Sequence, residues 1–408
     1  MNIVIVSHYF WPENFIINDI AAKLVQAGNK VTVFTGKPNY PDGEIYDGYR
    51  FWGIEKKHHN GIDIVHVPLI PRGKGGIVKL TLNYVSFIFF GSLMFPIIVR
   101  QTNPDVILFF AMSPVTSAIP AIILKYTTSK KLYLWLQDLW PESLSATGYV
   151  KNQLALSIIE KIIKWIYRNT DKILIQSEAF RKSVNLSMEK NRIIYFPNSV
   201  DGTSYEKLLH TELPDNFKLF RESGECFNII FAGNIGKAQS IETIISAADI
   251  LSREAMKINF ILLGSGSRLN WAKNEVRQLK LSNVHFPGRF PTKDMPSLLS
   301  CADVLLVTLK NEPIFSYTIP SKVQAYLAVG KPIIASLNGE GARIIVEEAN
   351  AGIACPAEDA TALADAVVTI YEMSSEERAI LGANGRRYFD DNFDMDLLVK
   401  KLIDIFNQ

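Results

Sequence analysis

The sequence predicts an α/β protein with two doubly wound parallel sheets. Short β-branched or aromatic runs alternate with helix-length segments from residue 2 to about 198, and a second such series begins near Phe227. The runs are apolar at odd and even positions alike, as in strands that are buried on both faces. The segments between the runs are long enough for crossover helices. A chain of 408 residues with 48% hydrophobic content can fill two cores of this kind.

The strands set the expected domain boundaries. In the first domain, residues 1–198, they are NIVIVSH, KVTVFTG, DIVHVPL, VILFFAM, KLYLWLQD, KILIQS and IIYFPN. In the second, residues 227–388, they are FNIIFAGN, INFILLGSG, NVHFPG, DVLLVTL, PIIASL and GIACPA. The polar segment 199–226 is predicted to be the linker, and 389–408 a final helix that packs back on either domain and is grouped with the first. Because parallel sheets bind ligands at the carboxyl ends of their strands, two such domains predict a cleft.

Charge and cysteine content exclude several classes of protein. The 43 Lys and Arg nearly balance the 41 Asp and Glu, so no chain-wide bias favours nucleic acid. The cysteines Cys226, Cys301 and Cys355 form no CxxC pair, which argues against a zinc site and a disulfide framework. The amino terminus, MNIVIVSHYF, lacks the basic segment of a secretory signal. We therefore expect a cytoplasmic protein.

One apolar stretch, residues 80–99, has three interpretations. It carries no charge and is about long enough to span a bilayer, yet a spanning helix would put strands of one sheet on opposite sides of the membrane. A buried crossover helix is the ordinary alternative. Basic residues around this stretch and in the later segment NQLALSIIEKIIKWIYRN favour the third, in which the first domain rests on an anionic membrane surface. These residues are Arg72, Lys74, Lys79, Arg100, Lys161, Lys164 and Arg168.

The second domain contains a helix start that suits phosphate. In IPSKVQAYLAVGKPIIAS, Pro320 and Ser321 fit the first positions of a helix, Gly330 follows its end, and Pro332 leads into the next strand. Free N–H groups, the helix dipole and Lys322 would hold a diphosphate there. An ordinary capped helix with a solvated lysine explains the same residues, so both interpretations stay open.

Glycine-bearing turns follow two strands of this domain, in FAGNIGKAQS and ILLGSGSR. Neither is a dinucleotide fingerprint or a P-loop. Arg289 in GRFP and Lys237 add cations that suit phosphate, with exposed surface side chains as the alternative. The glycines either admit a nucleotide closely or only make tight turns: Gly233, Gly236, Gly264 and Gly266.

Polar residues also lie at strand ends of the first domain. Asp138 ends the strand KLYLWLQD, and Glu142 follows four residues later. At this edge of the sheet the two carboxylates would bind or deprotonate a hydroxyl, although an N-cap Asp and a first-turn Glu explain them equally well. His8, after the first strand, and Glu13 have the same ambiguity.

A set of segments runs through nearly the whole chain: SHYFWPEN, GNKVTVFTGKPNYPDGEIYDGY, LWLQDLWPES, ILIQSEAFRKSV, YFPNSVD, IIFAGNIGKAQSIETIISAA, FILLGSGS, FPGRFP, DVLLVTL and IPSKVQAYLAVGKPIIASLNGEGARIIVEEANAG. With these segments the chain resembles GT-B-fold glycosyltransferases of family 4. It resembles especially the bacterial L-fucosamine or N-acetyl-L-fucosamine transferases of O-antigen and capsule assembly.

The resemblance implies two Rossmann-like domains, a UDP-sugar donor on the second, an acceptor on the first, and no metal or other cofactor. The implied donor-binding residues are Gly233, Asn234, Lys237, Gln239, Gly264, Gly266, Gly288, Arg289, Phe290, Ser321, Lys322, Glu340, Gly341 and Ala342. The implied acceptor-binding residues are His8, Glu13, Asn14 and Glu142, with Asn198 at the hinge. The expected catalytic residues are Asp138 for the acceptor, and Arg289 and Lys322 for the leaving diphosphate.

The chain departs from the family pattern at two places. Many members have two glutamates eight positions apart before the AxGxP segment, where this chain has Tyr317 and Ala325. The usual Arg and Lys after the first strand of the second domain fall on Asn234 and Gln239. Contacts to ribose and sugar are therefore expected from other residues, Glu340 and Gln239 among them.

We expect an enzyme that transfers a deoxyamino-sugar, such as N-acetyl-L-fucosamine, from a UDP-sugar to a polyprenyl-diphosphate-linked sugar. Retention of anomeric configuration is implied by the resemblance. The enzyme would bind no nucleic acid and lie peripherally on the inner face of the plasma membrane. Two alternatives are a UDP-sugar 2-epimerase-like enzyme of the same fold and a membrane-associated scaffold with a degenerate nucleotide site, which the missing glutamates suggest.

Overall fold

The computed structural model describes residues 1–73, 76–146, 152–185, 189–209, 211–214, 217–218, 226–254 and 256–408. Within them the chain forms two compact units. The first combines Met1–Pro197 with Val399–Gln408, and the second is Asn198–Leu398. Lys74, which sequence analysis placed among the basic residues near the apolar stretch, lies outside the described residues.

The first unit contains one eight-stranded sheet in the order β3-β4-β2-β1-β5-β6-β7-β8. All neighbouring strands are parallel except β3 and β4, which are antiparallel. The seven predicted strands are confirmed, and β3 is added at one edge. The bounds are β1 Asn2–Ser7, β2 Lys30–Gly36, β3 Glu55–His59, β4 Ile62–Val67, β5 Val106–Ala111, β6 Lys131–Leu136, β7 Lys172–Ile175 and β8 Ile193–Tyr195.

Crossover helices cover this sheet, as the spacers predicted. Its central strand is buried along most of its length, with Ile3 opposite both Val31 and Val106 in the neighbouring strands. The described helices of this unit are Ile16–Gln26, Ile77–Ile98, Ile119–Thr128, Glu142–Ala146, Gln153–Arg168 and Phe180–Asn185, with short 3₁₀ turns at Val99–Gln101, Val115–Ala118 and Lys190–Arg192.

The second unit contains one six-stranded parallel sheet in the order β11-β10-β9-β12-β13-β14. The strand order reverses between β9 and β12, and ligands of doubly wound sheets bind at such a switch point. Alternate residues of these strands enter separate apolar cores on the two faces. The bounds match the six predicted strands: β9 Phe227–Ala232, β10 Ile258–Leu263, β11 Val284–Gly288, β12 Val304–Thr308, β13 Ile333–Ser336 and β14 Gly352–Cys355.

Helices again lie between and after the strands of the second unit. Gly330 ends the helix Ser321–Val329 in the left-handed conformation with a φ of 74°, which a glycine adopts without strain. The described helices are Gly202–Leu208, Ile241–Ser252, Leu269–Gln278, Met295–Ser300, Pro313–Tyr317, Ser321–Val329, Glu340–Arg343, Ala360–Glu372, Ser375–Asn392 and Met395–Asn407, with 3₁₀ turns at Lys237–Gln239 and Thr292–Asp294 and a π-helical turn at Ile344–Glu348.

The segment predicted to be the linker, 199–226, takes part in the second unit. It contains the helix Gly202–Leu208, and Leu213 and Phe217 are buried in one of the two cores. Residues 210, 215–216 and 219–225 of this segment lie outside the described residues. Near the start of this segment, Val200 forms a parallel bridge with Asp394, which lies near the end of the second unit. The chain therefore enters and leaves the second unit at neighbouring points.

The final helix, Met395–Asn407, begins in the second unit and ends in the first. In the first unit, the Tyr133 hydroxyl donates a hydrogen bond to the Ile405 carbonyl at 3.2 Å. The Tyr133 ring also lies against Phe406, with their centroids 4.9 Å apart.

The helix Ile77–Ile98 contains the apolar stretch noted above and, with the turn that follows, is long and apolar enough to cross a membrane. One side packs on the sheet: Phe87 and Phe95 are buried, and Asn83 Oδ1 lies 3.0 Å from His8 Nε2 at the end of β1. The helix is therefore a crossover helix that is buried on one side only. The opposite side is exposed and apolar, with Val78, Leu82, Val85, Phe89, Leu93 and Ile97.

Candidate functional site

A cavity of about 510 Å³ lies in the second unit, at the carboxyl ends of β9, β10 and β11 and beside the start of the helix Ser321–Val329. Seven of the residues predicted to bind the donor line it together. They are Gly233, Asn234, Gly264, Arg289, Phe290, Ser321 and Lys322. Their convergence places backbone turns, two cations and one helix N-terminus around a single space, which suits an anionic ligand.

The helix start at this cavity lacks a side-chain cap. Pro320 is the N-cap residue and no side chain accepts a hydrogen bond from the first turn. The residues Ser321 and Lys322 therefore bring uncapped N–H groups and the positive end of the helix dipole to the cavity wall. Such a terminus is well suited to phosphate oxygens.

Lys322 lies in a cradle of uncharged groups. Its ammonium is 3.6 Å from the centroid of the Phe231 ring and donates a hydrogen bond to the Gln239 side-chain oxygen. Gly233 has a φ of +138°, which side chains rarely adopt, and a methyl group there would come within 2.6 Å of Lys322 Cε and displace the lysine side chain. Burial lowers the pKa of Lys322 to about 7. An anion bound at the ammonium would favour the charged form.

The glycine turns of β9 and β10 interlock. The Gly233 N–H donates to Leu263 at 2.8 Å, and the Gly264 N–H donates to Gly288 at 2.8 Å. A Cβ on Gly264 would lie 1.9 Å from the Gly233 carbonyl oxygen, and Gly264 has a φ of +138°. Position 264 therefore requires glycine for close backbone packing, and both turns form part of the cavity wall.

Two tyrosines that sequence analysis did not single out line the same cavity. The Tyr326 hydroxyl accepts a hydrogen bond from the Ala232 N–H at 3.0 Å and donates one to the Leu306 carbonyl at 3.3 Å. It thus bridges β9 and β12 where the strand order reverses. Tyr205 comes from the segment predicted to be a linker. The sequence around Tyr205, DGTSYEKL, is mostly polar and gives no signal of this contact.

The other residues predicted to bind the donor do not line this cavity. Lys237 is exposed in the turn Lys237–Gln239, and Gly288 ends β11. A Cβ on Gly266 would meet the Asn234 side chain, and one on Gly341 would lie 3.1 Å from Pro320 Cδ, next to the helix start. Ala342 packs against the core.

Glu340 was expected to contact ribose or sugar. Its carboxylate is buried and pairs with Arg343 at 2.8 Å, and Arg343 also pairs with Glu348. The two carboxylates raise the pKa of the Arg343 guanidinium. Glu340 is thus held in an ion-pair network, and ribose binding would have to compete with Arg343 for its oxygens.

The predicted acceptor residues belong to the first unit. Asp138 is partly buried and accepts a hydrogen bond from Ser113 Oγ at 2.7 Å, and Trp140 Nε1 donates to the same hydroxyl at 2.9 Å. Glu142 lines a separate cavity of about 370 Å³ with Glu160 and other residues. Among the described residues, Glu142 Oε2 is buried and has no hydrogen-bond partner.

The side chains of His8 and Glu13 are buried in the first unit and bind other residues of that unit. Burial lowers the pKa of His8 to about 3, and its ring lies between Asn83 and Ser117. Glu13 accepts backbone hydrogen bonds from Asn39 and Tyr40, both at 2.7 Å, and burial raises its pKa to about 7. Direct acceptor binding by these two side chains would require them to leave their present partners.

Asn14 is exposed. Because it is exposed, Asn14 is accessible to a ligand, whereas the neighbouring Glu13 is buried. Within the described part of the chain, no three His, Cys, Asp or Glu side chains are grouped closely enough to hold a metal ion.

The chain is similar to known glycosyltransferases in part of its length and in overall sequence. Residues 215–388 match the family Glycosyl transferases group 1. The chain is 26% identical over 314 residues to the probable glycosyltransferase WbjE of Pseudomonas aeruginosa, covering 74% of each chain. It is 24% identical over 352 residues to the putative colanic acid biosynthesis glycosyl transferase WcaI of Escherichia coli K12, covering 81% of this chain and 82% of the relative. The chain is thus similar to glycosyltransferases, and the match to group 1 lies within its second unit.

The fold is shared with solved structures. The crystal structure of Anabaena Alr3699/HepE in complex with UDP covers 100% of both chains with a TM-score of 0.70 and 15% identity. At this identity the likeness establishes the fold alone. The predicted class, GT-B with two parallel-sheet α/β domains, is confirmed.

Proposed function

We propose that this protein is a glycosyltransferase that uses a UDP-sugar donor and binds its diphosphate in the cavity of the second unit. The observation that carries the proposal is the convergence of Arg289, Lys322 and the uncapped helix start at Ser321 on that cavity. The complex of Anabaena HepE with UDP, a protein of the same fold, supports the choice of nucleotide. The donor sugar we propose is a deoxyamino-sugar, N-acetyl-L-fucosamine or a close analogue.

The proposed chemistry needs positive charge at the leaving group and a base at the acceptor. Lys322 and Arg289 would stabilise the charge that develops on the departing UDP, without a metal. Asp138 would accept the proton of the attacking hydroxyl or orient it, with Ser113 Oγ holding the carboxylate at 2.7 Å. We propose retention of anomeric configuration, which NMR of the product tests directly.

The acceptor we propose is a polyprenyl-diphosphate-linked sugar in bacterial polysaccharide assembly. The description of the relative WcaI as a colanic acid biosynthesis enzyme supports this biological setting. Glu142 lines the first-unit cavity, and its carboxylate would accept a hydrogen bond from a saccharide hydroxyl.

A product assay tests the function. The full chain is incubated with a panel of UDP-sugars and membranes that carry polyprenyl-diphosphate-linked N-acetylhexosamine, and lipid-linked products are identified by mass spectrometry. We expect one UDP-deoxyamino-sugar to give a product extended by one residue. Isomerisation of the UDP-sugar without acceptor would instead indicate the 2-epimerase-like alternative, and absence of UDP binding in calorimetry would indicate the scaffold.

A charge variant tests the site. Lys322→Met removes the ammonium while keeping a similar side-chain length, and we expect UDP affinity to fall roughly 10- to 100-fold, the loss of one charge-assisted hydrogen bond. Lys273→Met is the matched control, because Lys273 is exposed on the helix Leu269–Gln278 and does not line the cavity. Equal UDP affinity in the two variants would refute the diphosphate assignment.

We also propose that the first unit rests on the inner face of the plasma membrane. The exposed side of the helix Ile77–Ile98 is apolar, and exposed Leu154, Ile158 and Trp165 lie on the helix Gln153–Arg168. Both helices pack against the short turn Val115–Ala118. Lys161 and Arg168 are exposed beside the apolar residues of the second helix. Apolar side chains with basic neighbours suit an anionic leaflet.

Vesicle flotation tests this location. We expect the protein to float with phosphatidylglycerol vesicles at low salt, and more weakly with phosphatidylcholine vesicles. Phe89 and Leu93 are 56% and 55% exposed, and changing both to serine should weaken binding about tenfold or more, since each large apolar side chain contributes about 1.5–3 kcal/mol on burial. Ile380→Ser in the second unit, at 59% exposure, is the control. Equal flotation of both variants would refute the proposed face.

A further inference from the structure

Within the part of the chain that the structure describes, the groups that contact the Lys322 ammonium are uncharged. They are the face of the Phe231 ring, the backbone of Gly233 and the side-chain amide of Gln239. Of the titratable side chains that line the cavity, the others are Arg289, Tyr205 and Tyr326, and none is a carboxylate. A buried cation normally has an acidic partner. Here the described cavity leaves that place for a ligand.

Gln239 is itself held firmly by backbone contacts. Its carbonyl accepts a hydrogen bond from Thr308 Oγ1 at the end of β12, and its N–H donates to Gly236 at 3.1 Å. The neighbouring Ala238 carbonyl accepts a hydrogen bond from the Lys310 N–H at 3.0 Å. The turn Lys237–Gln239 is thus attached to β12, and the Gln239 side chain reaches Lys322 from a fixed base.

An amide and a carboxylate at position 239 would have opposite effects on a diphosphate. Because an ammonium only donates hydrogen bonds, it selects the oxygen of the Gln239 amide. That oxygen orients the ammonium and leaves its charge in place. A glutamate of the same shape would neutralise Lys322 and compete with a phosphate for it.

We propose that Gln239 is a positioning residue that aims the Lys322 ammonium at the diphosphate of the donor without neutralising it. This inference rests on the proposed function and changes the role expected for Gln239 from a ribose or sugar contact to the support of a phosphate ligand. It explains why the chain has glutamine rather than an acid beside its buried lysine.

The first test needs no nucleotide. The amine of Lys322 is labelled with acetic anhydride at a series of pH values, and its titration is read from the Lys322 peptide by mass spectrometry. Burial lowers the wild-type pKa to about 7. Gln239→Glu should raise this pKa by about one unit or more, and Gln239→Met should lower it, since it removes the hydrogen-bond acceptor. Gln278→Glu, an exposed site outside the cavity, adds the same charge and should change nothing.

The second test measures UDP affinity by calorimetry in the same proteins. We expect Gln239→Glu to weaken UDP binding about tenfold or more, and Gln239→Met to weaken it less, with Gln278→Glu like wild type. Thermal melts of all three variants check that they fold. A Lys322 titration that is the same in all proteins overturns the inference, even where UDP binds. If the titration shifts as expected but wild type does not bind UDP, the support of Lys322 by Gln239 stands and the proposed function fails.

Discussion

Gly264→Ala tests how far the interlocked turns of β9 and β10 hold the second unit together. The new Cβ would lie 1.9 Å from the Gly233 carbonyl oxygen. This oxygen is a backbone atom, and Gly233 and the next residue, Asn234, line the cavity. Gly264 also has a φ of +138°, which side chains rarely adopt. The substitution therefore combines backbone strain with a steric overlap that no rotamer relieves.

Two terms set the magnitude. A strained φ costs on the order of 1–3 kcal/mol, and inserting a group into a packed site adds about 1–3 kcal/mol. We expect the free energy of unfolding to fall by about 4 kcal/mol. Gly330→Ala is the control, because its φ of +74° is also positive but its Cβ would meet the nearest atoms at 3.4 and 3.5 Å, an ordinary contact. The control should lose about 1–2 kcal/mol.

Urea denaturation of both variants gives the free energies, and hydrogen exchange measured by mass spectrometry locates the change. Peptides from β9 and β10 should lose protection in Gly264→Ala and keep it in Gly330→Ala. UDP affinity should also fall in Gly264→Ala, since the moved carbonyl belongs to Gly233, beside Lys322. A loss of stability equal to that of the control would refute the argument from steric overlap.

Three further predictions concern stability. Burial lowers the pKa of His8 to about 3, whereas the unfolded chain has a His pKa of about 6.5. Between these values only the unfolded chain gains the proton, so the free energy of unfolding should fall as the pH is lowered from 6.5 to 4. His8→Gln should reduce this dependence on pH, measured by urea denaturation at each pH. Ser374→Ala removes a capping box with Glu377 and should cost about 1 kcal/mol in denaturation. Tyr133→Phe loses the hydrogen bond to Ile405 and should cost about 1 kcal/mol, with faster hydrogen exchange in residues 399–408.

Most of the sheet framework could be predicted because strands buried on both faces leave a local signal. The runs NIVIVSH and FNIIFAGN are apolar at odd and even positions alike, and both form central strands. The sequence of the edge strand β3, Glu55–His59, is EKKHH and does not predict a strand, since an exposed edge strand needs no apolar pattern. Similarly, the mostly polar sequence of the helix Gly202–Leu208 predicts a linker, since the pattern does not show that this helix packs within the second unit.

Part of the candidate site could be predicted in the same way. Arg289 follows one strand and Lys322 opens a helix, and parallel sheets bring such positions to one edge. The partners of the side chains could not be predicted. Gln239 meets Lys322 across 83 residues, and the burial of His8 and Glu13 depends on contacts made from other elements. The sequence position of a polar residue at the end of a strand indicates where its side chain lies. Its hydrogen-bond partners and its pKa depend on residues that are distant in the sequence.

The discontinuous first unit has a consequence for biogenesis. The ribosome makes Met1–Pro197, then the whole second unit, and only afterwards Val399–Gln408. The second unit is one uninterrupted stretch, so it can close during translation. The first unit cannot form the contacts of Tyr133 with Ile405 and Phe406 until the segment Val399–Gln408 has been made. Nascent chains stalled before residue 399 should therefore need chaperone protection chiefly in their amino-terminal half.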